Sequence, residues 1–293
     1  MSVTRKSHAL TDGDMSAVHY GNPSAPPAIV FLHGTGFHGL AYRSLLEPFS
    51  QETGEHIIAL DLRGHGQSRL PARPETLKSW APLRDDVIEF LDAHIDAPVV
   101  LSGHSLGGGV SLMAAAQAGG KVRGVAAFDP VTLPLIARMA LKTAGGRAYA
   151  KRRLSLARSA GRRRADFDST DAVFESYQGR GAFRDITDAA LRDYIDGAFV
   201  KSPGGVTLRC RPLWEQATFV AQGQNLFDAA RNSPQNTRIV YAGKRSPTFR
   251  SQRHKMTKIM GKTRVSFEPD RSHFFPLEDP DFTRDILRGV LAG

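Results

Sequence analysis

Ser105 lies in the segment GHSLG at residues 103–107, where residue types and spacing suit nucleophilic chemistry. The apolar run Val99–Leu101 before it predicts a strand, and the small apolar residues 110–118 after it predict a helix. A sharp turn between strand and helix forces a serine into a strained backbone conformation and leaves its hydroxyl exposed above the sheet. The flanking glycines let neighbouring backbone approach. We therefore predict that Ser105 is a nucleophile; the alternative is a glycine-rich turn with an incidental serine.

His273 is the candidate for the base that such a nucleophile requires. A serine hydroxyl is a poor nucleophile until a base takes its proton, and a carboxylate must orient that base. His273 follows the last predicted strand, in the loop DRSHFFPLE at residues 270–278. A single loop histidine is usually incidental, but this chain offers a nucleophile that lacks a partner. The sequence therefore favours a catalytic role for His273.

Strands and helices alternate through the first 130 residues. A hairpin is predicted over residues 5–20, buried strands at 28–32, 56–60, 99–101 and 122–128, and helices at 41–49, 80–95 and 110–118. This alternation predicts an α/β fold with a mostly parallel sheet covered by helices on both faces. Ligands collect at the carboxyl ends of parallel strands, so residues that follow strands should share one edge. Four such residues are His33, Asp61, Ser105 and Asp129.

The pattern changes after the sixth predicted strand. Residues 131–234 have helical periodicity, and no strand is predicted there until Thr237. Strands then return at residues 238–243 and 264–267, with helices at 251–260 and 282–291. We predict a core domain formed by residues 1–130 and 235–293. The segment 131–234, called the insert below, is predicted to be a helical insertion into that core.

The insert carries an uneven charge and a set of aromatic residues. Residues 138–164 contain ten Arg and Lys and no Asp or Glu, which equals the formal net charge of +10 of the whole chain. These cations form either a solvated helical face or a surface that attracts anionic substrates. The aromatic residues belong to the core of the insert or line a pocket; they are Phe167, Phe174, Tyr177, Phe183 and Tyr194.

Composition bounds the class of protein. The chain has 293 residues, 41% of them hydrophobic and 23% charged, which is typical of a soluble globular protein. Its one cysteine, Cys210, excludes an internal disulfide and a cysteine-based metal site. The first residues lack the apolar stretch of a secretory signal, and no charge-free apolar run reaches the length of a membrane span. A cytoplasmic location is the resulting expectation.

Four motifs together resemble the α/β-hydrolase superfamily. They are HGTGF at 33–37, DLRGHGQS at 61–68, GHSLGG at 103–108 and HFFPLEDP at 273–280. The resemblance covers essentially the whole chain and includes the order nucleophile, acid, histidine. It implies that the insert is a cap, or lid, over the site. The chain is most similar to the branch that contains small-molecule esterases, thioesterases and carbon–carbon bond hydrolases.

The resemblance also implies roles for individual residues. Ser105 corresponds to the nucleophile and His273 to the base, while the backbone N–H groups of Leu106 and Thr35 correspond to the oxyanion hole; Gly36 is the alternative to Thr35. His104, beside the nucleophile, should pack under the turn. No metal or organic cofactor is implied. A serine at the nucleophile position argues against a dehalogenase or an epoxide hydrolase.

The acid is the point at which the chain departs from the commoner pattern. Most relatives place an aspartate after the seventh strand, but here residues 243–248 read GKRSPT and contain no carboxylate. Ser246 stands where the acid is expected. Some members of the superfamily place the acid after the sixth strand, and Asp129 occupies that position. We predict that Asp129 is the acid, with Asp270 and Glu268 as alternatives closer to His273 in sequence.

The sequence therefore predicts a serine hydrolase that cleaves an ester, thioester or related small-molecule acyl bond through an acyl-enzyme. The alternatives are a carbon–carbon bond hydrolase and a non-catalytic ligand-binding protein that keeps the fold. The basic segment matches no nucleic-acid-binding motif, so no specific nucleic acid is expected as a partner. A small-molecule substrate, anionic if the cations attract it, is the expected partner. The sequence does not determine the substrate or the oligomeric state.

Overall fold

Eleven strands occur in the computed structural model, which describes residues 3–293. In chain order they are β1 (Val3–Leu10), β2 (Gly13–Tyr20), β3 (Pro27–Leu32), β4 (His56–Leu60), β5 (Val99–His104), β6 (Val122–Phe128), β7 (Asp166–Phe167), β8 (Phe199–Ser202), β9 (Gly205–Leu208), β10 (Thr237–Lys244) and β11 (Val265–Ser272). Eight form the main sheet in the order β1-β2-β4-β3-β5-β6-β10-β11, and the other three form a small sheet in the order β7-β9-β8.

The main sheet is mostly parallel. Within the described residues only β2 opposes its neighbours, because it pairs antiparallel with β1 and with β4. The remaining pairs, from β4 through β3, β5, β6 and β10 to β11, are all parallel. The carboxyl ends of these strands therefore lie at one edge of the sheet. The predicted fold class, an α/β protein with a mostly parallel sheet covered by helices, is confirmed.

Thirteen α-helices occur in the part of the chain that the structure describes. They are α1 (Arg43–Thr53), α2 (Ala81–His94), α3 (Leu106–Ala115), α4 (Leu135–Lys142), α5 (Ala144–Arg153), α6 (Ser155–Gly161), α7 (Thr170–Tyr177), α8 (Asp188–Ala198), α9 (Pro212–Val220), α10 (Leu226–Arg231), α11 (Arg250–Met260), α12 (Phe275–Glu278) and α13 (Pro280–Ala292). Across residues 3–293, every helix falls short of the length and apolar character needed to cross a membrane.

The two faces of the sheet have separate hydrophobic cores because side chains alternate along each strand. On β3, Val30 and Leu32 face one core, while Ile29 and Phe31 face the other. Helices α2, α3, α10 and α11 cover the first face, and α1 and α13 cover the second. The strands of the sheet centre are buried on both faces, which explains their continuous apolar sequences.

The insert contains strands that the sequence prediction missed. β8 and β9 form a hairpin through Gly204 and Gly205, both with positive φ, and β7 pairs with β9. The expectation of no strand before Thr237 was therefore wrong. The three strands are two to four residues long. Such lengths are too short to produce a detectable period of two in the sequence. Helix α10, at the end of the insert, packs against α3 and α11.

Four fully buried histidines stabilise the loops at the carboxyl edge of the sheet. His33 and His38 are 0% and 1% exposed, and His65 and His104 are each 1% exposed. Each ring contacts a backbone carbonyl, those of Gly34, Tyr194, Arg63 and His273 respectively, at 2.8 to 3.0 Å. Burial lowers the pKa of His33 and His38 to about 4 and that of His65 to about 3. Burial also lowers the pKa of His104 well below its usual value.

These depressed pKa values predict that the folded protein loses stability in mild acid. Below pH 6.5 the histidines of the unfolded chain bind protons, whereas the buried rings of the folded protein stay neutral until the pH approaches 4. The free energy of unfolding therefore falls as the pH decreases from 6.5 toward 4. At pH 5 the loss is about 1 to 2 kcal/mol for each buried histidine. Urea unfolding at pH 7.5, 6.0 and 5.0 measures it.

The substitution His65→Gln should make the unfolding free energy less dependent on pH, because it removes the contribution of one buried histidine. His254→Gln is the matched control, because His254 is exposed on α11 and should leave the slope unchanged. An unfolding free energy that stays constant between pH 7.5 and 5.0 contradicts the prediction.

Candidate active site

Ser105 occupies the turn between β5 and α3 in a strained backbone conformation. Its φ of 55° and ψ of −113° lie outside the regions that residues with a Cβ normally adopt. Two backbone hydrogen bonds hold it there: its N–H donates to the Phe128 carbonyl at 2.8 Å, and its carbonyl accepts from Gly109 N–H at 3.1 Å. The side chain is thereby fixed at the carboxyl edge of the sheet.

Gly103 and Gly107 lie so close to neighbouring backbone atoms that no side chain fits at either position. A Cβ on Gly107 would lie 2.0 Å from the Leu32 carbonyl oxygen, and a Cβ on Gly103 would lie 2.4 Å from Gly107. Both distances are far shorter than van der Waals contact, so a side chain at either position would force α3 away from β3 or β5. The glycines of the GHSLG segment therefore fix the distance between the first turn of α3 and the sheet.

His273 lies directly after β11 and bridges two of the other predicted site residues. Its Nε2 is 3.1 Å from Ser105 Oγ, and its Nδ1 is 2.6 Å from Asp129 Oδ2. Its backbone N–H donates to the Lys244 carbonyl at 2.9 Å, which ties the loop to the end of β10. Because Nδ1–H donates to the carboxylate, Nε2 carries the free lone pair that faces the serine hydroxyl. The three side chains form one hydrogen-bonded chain.

Asp129 follows β6 and is completely buried, with a φ of 42°. Its backbone N–H donates to the Val240 carbonyl at 2.7 Å, which holds the strained residue between β6 and β10. Its Oδ1 accepts hydrogen bonds from Ser246 Oγ at 2.9 Å and from Ala242 N–H at 3.2 Å, while Oδ2 contacts His273. Three donors therefore satisfy the oxygens of this buried carboxylate.

Ser246 has a contact that the sequence analysis did not anticipate. It stands where the resemblance implies an acid, and in the structure its hydroxyl donates to Asp129 Oδ1 instead. The two alternative acids point elsewhere. Asp270 is 92% exposed and lies 3.8 Å from Lys244 Nζ, and Glu268 pairs with Arg271 at 3.3 Å.

Thr35, in the loop after β3, and Leu106, directly after Ser105, are the two residues whose backbone N–H groups are predicted to form the oxyanion hole. Leu106 is the first residue of α3, where an N–H has no acceptor within the helix. Thr35 lines the cavity beside Ser105, whereas Gly36 packs against the Glu215 carboxylate, which would lie 2.6 Å from a Cβ at that position. Of the two candidates in the HGTGF segment, Thr35 is thus the one that faces the cavity.

A buried chain of hydrogen bonds joins the HGTGF segment to His273 behind the site. Gly34 N–H donates to Tyr42 Oη at 3.1 Å, and Tyr42 Oη contacts His104 Nδ1 at 2.7 Å. His104 Nε2 in turn contacts the His273 carbonyl at 2.8 Å. Burial raises the pKa of Tyr42 and lowers that of His104, so a phenol that donates and a neutral imidazole satisfy every contact. The sequence analysis expected His104 to pack under the turn but gave no sign of Tyr42.

Side chains of the insert hold the HGTGF segment from above. Tyr194 Oη donates to the Gly36 carbonyl at 3.2 Å and accepts from Arg163 Nη2 at 2.6 Å. The Arg163 guanidinium also donates to Glu215 Oε2 at 3.0 Å and to Tyr177 Oη at 3.1 Å. Arg163, one of the ten cations of residues 138–164, is thus committed to an internal network.

A cavity of about 370 Å³ opens above Ser105 and His273. Aromatic and aliphatic side chains dominate its wall, and they come from both the insert and the loops after β3 and β11; among them are Phe37, Leu156, Tyr177, Phe183, Phe219 and Phe274. Two guanidinium groups, those of Arg163 and Arg180, also line it. Tyr177 and Phe183, which the sequence assigned to a core or a pocket, line the cavity, while Phe167 and Tyr194 are buried in the second core.

Asp61 and Arg63 hold loops together outside the cavity. The buried Asp61 carboxylate accepts from Gly39 N–H at 2.8 Å and Gln67 N–H at 2.9 Å and pairs with Arg5. Arg63 forms two bonds to the Asp86 carboxylate, at 2.8 and 2.6 Å. Among residues 3–293, no group of three or more His, Cys, Asp or Glu side chains is arranged to hold a metal ion.

Solved structures share this fold over the full chain. The structure of E-2-(acetamidomethylene)succinate hydrolase superposes with a TM-score of 0.81 at 21% identity and covers 100% of both chains. The thioesterase domain from the curacin biosynthetic pathway superposes with a TM-score of 0.76 at 16% identity and covers 98% of this chain and 100% of its own. Identities at this level establish similarity of fold.

Curated relatives match a shorter part of the sequence. Protein phosphatase methylesterase 1 of Mus musculus is 32% identical over 99 residues, which is 33% of this chain and 25% of the relative. The sn-1-specific diacylglycerol lipase ABHD11 of Mus musculus is 34% identical over 111 residues, 38% of this chain and 32% of the relative. The matches thus span about a quarter to a third of these relatives. The family profile described as alpha/beta hydrolase family matches residues 29–286, and the chain belongs to that family.

Proposed function

We propose that the protein is a serine hydrolase that cleaves an ester, thioester or related small-molecule acyl bond. Ser105 is the nucleophile, His273 the general base and Asp129 the acid that orients it. The observation that carries the proposal is the continuous chain from Ser105 Oγ to His273 at 3.1 Å and on to Asp129 at 2.6 Å, beneath a largely apolar cavity. Membership of the alpha/beta hydrolase family supports it.

In the proposed reaction, Ser105 Oγ attacks the carbonyl carbon of the substrate while His273 Nε2 accepts the hydroxyl proton. The carbonyl electron pair moves to the oxygen, which the N–H groups of Thr35 and Leu106 stabilise, each by about 3 kcal/mol. The imidazolium then protonates the leaving alcohol or thiol, and the acyl group stays on Ser105. A water molecule, deprotonated by His273, attacks the acyl-enzyme and releases the acid. Asp129 stays ionised and stabilises the imidazolium.

The apolar lining of the cavity favours a substrate whose acyl group, next to Ser105, is apolar. Phe37, Phe183 and Phe274 lie on the wall near the nucleophile, and apolar groups transferred there from water gain about 25 cal/mol for each Å² buried. Arg180, also on the wall, has no carboxylate partner among the ion pairs of residues 3–293, so a polar or anionic group of the substrate fits beside it. We assign the insert, residues 131–234, as the cap that encloses this substrate.

The non-catalytic alternative is tested with a fluorophosphonate probe, which labels only an activated serine. Labelling of the wild-type chain, lost in Ser105→Ala, supports the hydrolase. A screen of p-nitrophenyl esters of increasing acyl length, matched thioesters, and neutral and carboxylate-bearing analogues identifies the substrate class. If the protein cleaved only a carbon–carbon bond substrate and none of these esters and thioesters, the proposed acyl-bond hydrolysis would be wrong.

Removal of the proposed nucleophile or base should abolish turnover without unfolding the chain. We expect Ser105→Ala and His273→Ala each to lower kcat by at least about 10⁴-fold, because the two groups act as a unit. Ester hydrolysis and thermal unfolding measure the two effects. Ser102→Ala is the matched control, since Ser102 lies on β5, the strand that leads into Ser105, but donates to the Ala126 carbonyl at 3.1 Å and does not line the cavity. Near-normal hydrolysis by either variant would overturn its assignment.

Asp129→Asn should lower kcat by about 10³- to 10⁴-fold, because a neutral amide neither holds the His273 tautomer nor stabilises the imidazolium. Ser246→Ala removes one donor from the same carboxylate and should lower kcat by about 3- to 10-fold. Asp270→Asn changes an exposed carboxylate near the site and should have no effect. The opposite order, a severe loss in Asp270→Asn and a mild one in Asp129→Asn, rules out Asp129 as the acid.

Tyr194→Phe should impair the oxyanion hole by releasing the Gly36 carbonyl. The expected effect is a decrease in kcat of about 3- to 10-fold with little change in KM, and a matching decrease in the rate of fluorophosphonate labelling. Tyr20→Phe is the matched control, because it removes a buried hydroxyl that donates to another backbone carbonyl, that of Gly39 at 3.3 Å, and Tyr20 does not line the cavity, so it should keep the wild-type labelling rate. Equal labelling rates for wild type and Tyr194→Phe would argue against this positioning role.

A further inference from the structure

The first three helices of the insert, α4 to α6, expose an unusual number of large apolar side chains. Six of the ten exposed large hydrophobic residues among residues 3–293 lie in this short stretch; they are Leu135, Ile136, Met139, Tyr149, Leu154 and Leu156. Ile136 is 85% exposed and Tyr149 is 67% exposed. Single exposed apolar residues are ordinary on a soluble protein, but a concentration of this kind marks a binding surface. These six residues are called the apolar surface below.

Cations without ion-pair partners are interspersed in sequence with the residues of the apolar surface. Lys142, Arg152, Arg153, Arg158 and Arg162 are exposed, and no Asp or Glu occurs between residues 138 and 164. Within the described chain, no ion pair includes a cation from residues 138–162, whereas Arg163 pairs with Glu215 inside the cavity wall. Other arginines of the protein, such as Arg271 and Arg288, pair with neighbouring carboxylates. The positive charge of α4 to α6 is therefore uncompensated.

The three helices are attached to the protein from their inner side. Leu141, Ala150, Ala157 and Val220 form a small core between them and α9. Helix α4 packs against α5, α5 against α6, and α6 against α9. The side chains that face this core are therefore different from those of the apolar surface, which point toward solvent. Packing against one another and against α9 holds α4 to α6 in place, and their outward side is available for a binding partner.

We propose that α4 to α6 dock on an anionic lipid surface, with the apolar surface inserted among the acyl chains and the surrounding cations against the phosphates. Helices with a large apolar face and Lys and Arg beside it bind membrane interfaces in this way. Leu156 belongs to the apolar surface and also lines the cavity above Ser105, so the docked face borders the cavity. Charge complementarity favours lipid phosphates, and the apolar residues distinguish a bilayer from a soluble polyanion.

Vesicle flotation with the Ser105→Ala protein tests the docking independently of hydrolysis. We expect binding to vesicles of phosphatidylcholine with one quarter phosphatidylglycerol and little binding to phosphatidylcholine alone. Ile136→Asp with Met139→Asp should weaken binding by at least about tenfold, and Arg152→Glu with Arg153→Glu should do the same. Phe249→Asp and Arg250→Glu with Lys258→Glu are matched controls from the other exposed apolar and basic positions around α11, and they should leave binding unchanged.

Tryptophan fluorescence distinguishes insertion from electrostatic contact. The two native tryptophans, Trp80 and Trp214, are 1% and 2% exposed and therefore report little of the surface. Ile136→Trp should give an emission that shifts to the blue on phosphatidylglycerol vesicles, whereas Phe249→Trp should not shift.

Three results would overturn the proposal. One is the absence of flotation with anionic vesicles. The second is binding that survives the Ile136→Asp and Met139→Asp double substitution and gives no blue shift, which would indicate a general affinity for polyanions, nucleic acid included. The third is a dimer in light scattering that the same double substitution dissociates without any vesicle binding, which would make a second copy of the chain the occupant. None of these results bears on the hydrolase assignment, because the protein tested lacks the Ser105 hydroxyl.

Discussion

The geometry of the site depends on the hydrogen bonds of the buried Asp129 carboxylate. The carboxylate receives hydrogen bonds from His273, Ser246 and the Ala242 backbone, so it joins the ends of β6, β10 and β11. A carboxylate with no exposed surface is stable as an anion only when donors replace its water. The positive φ of Asp129 shows that the chain accepts backbone strain to place it there. The position of His273, and hence its reach to Ser105, follows from its contact with Asp129.

The other half of the site is set by contacts between the sheet and the insert. The Gly34 N–H reaches the His273 carbonyl through Tyr42 and His104, and the Gly36 carbonyl is held by Tyr194 of the insert. The loop after β3 is thus fixed both from below and from above. Backbone donors for a developing oxyanion are effective when they are held in place before the reaction. The insert therefore contributes to the geometry of the site as well as to the wall of the cavity.

The cations of the insert lie in two different environments. Arg163 is buried against Glu215, Tyr177 and Tyr194, where it gives structure to the cavity wall. Its neighbours in sequence face solvent without carboxylate partners, next to exposed apolar side chains. A count of charges treats these groups alike, because burial and pairing are properties of the folded chain. The proposed lipid surface depends on that difference.

Local patterns determined much of this protein. The GHSLG segment between strand and helix signals, the alternation of elements and the loop position of His273 are local patterns, so the sequence predicts the sheet, Ser105 and His273. The third proposed catalytic residue, Asp129, is predicted through the family resemblance and the absence of a carboxylate after the seventh strand. The strands of the insert were missed because two to four residues carry no measurable period. The contact between Asp129 and His273, the hydrogen bond from Ser246 and the link through Tyr42 are visible only in the tertiary structure. Each joins residues far apart in the chain, and only the packing of parallel strands brings them within hydrogen-bond distance.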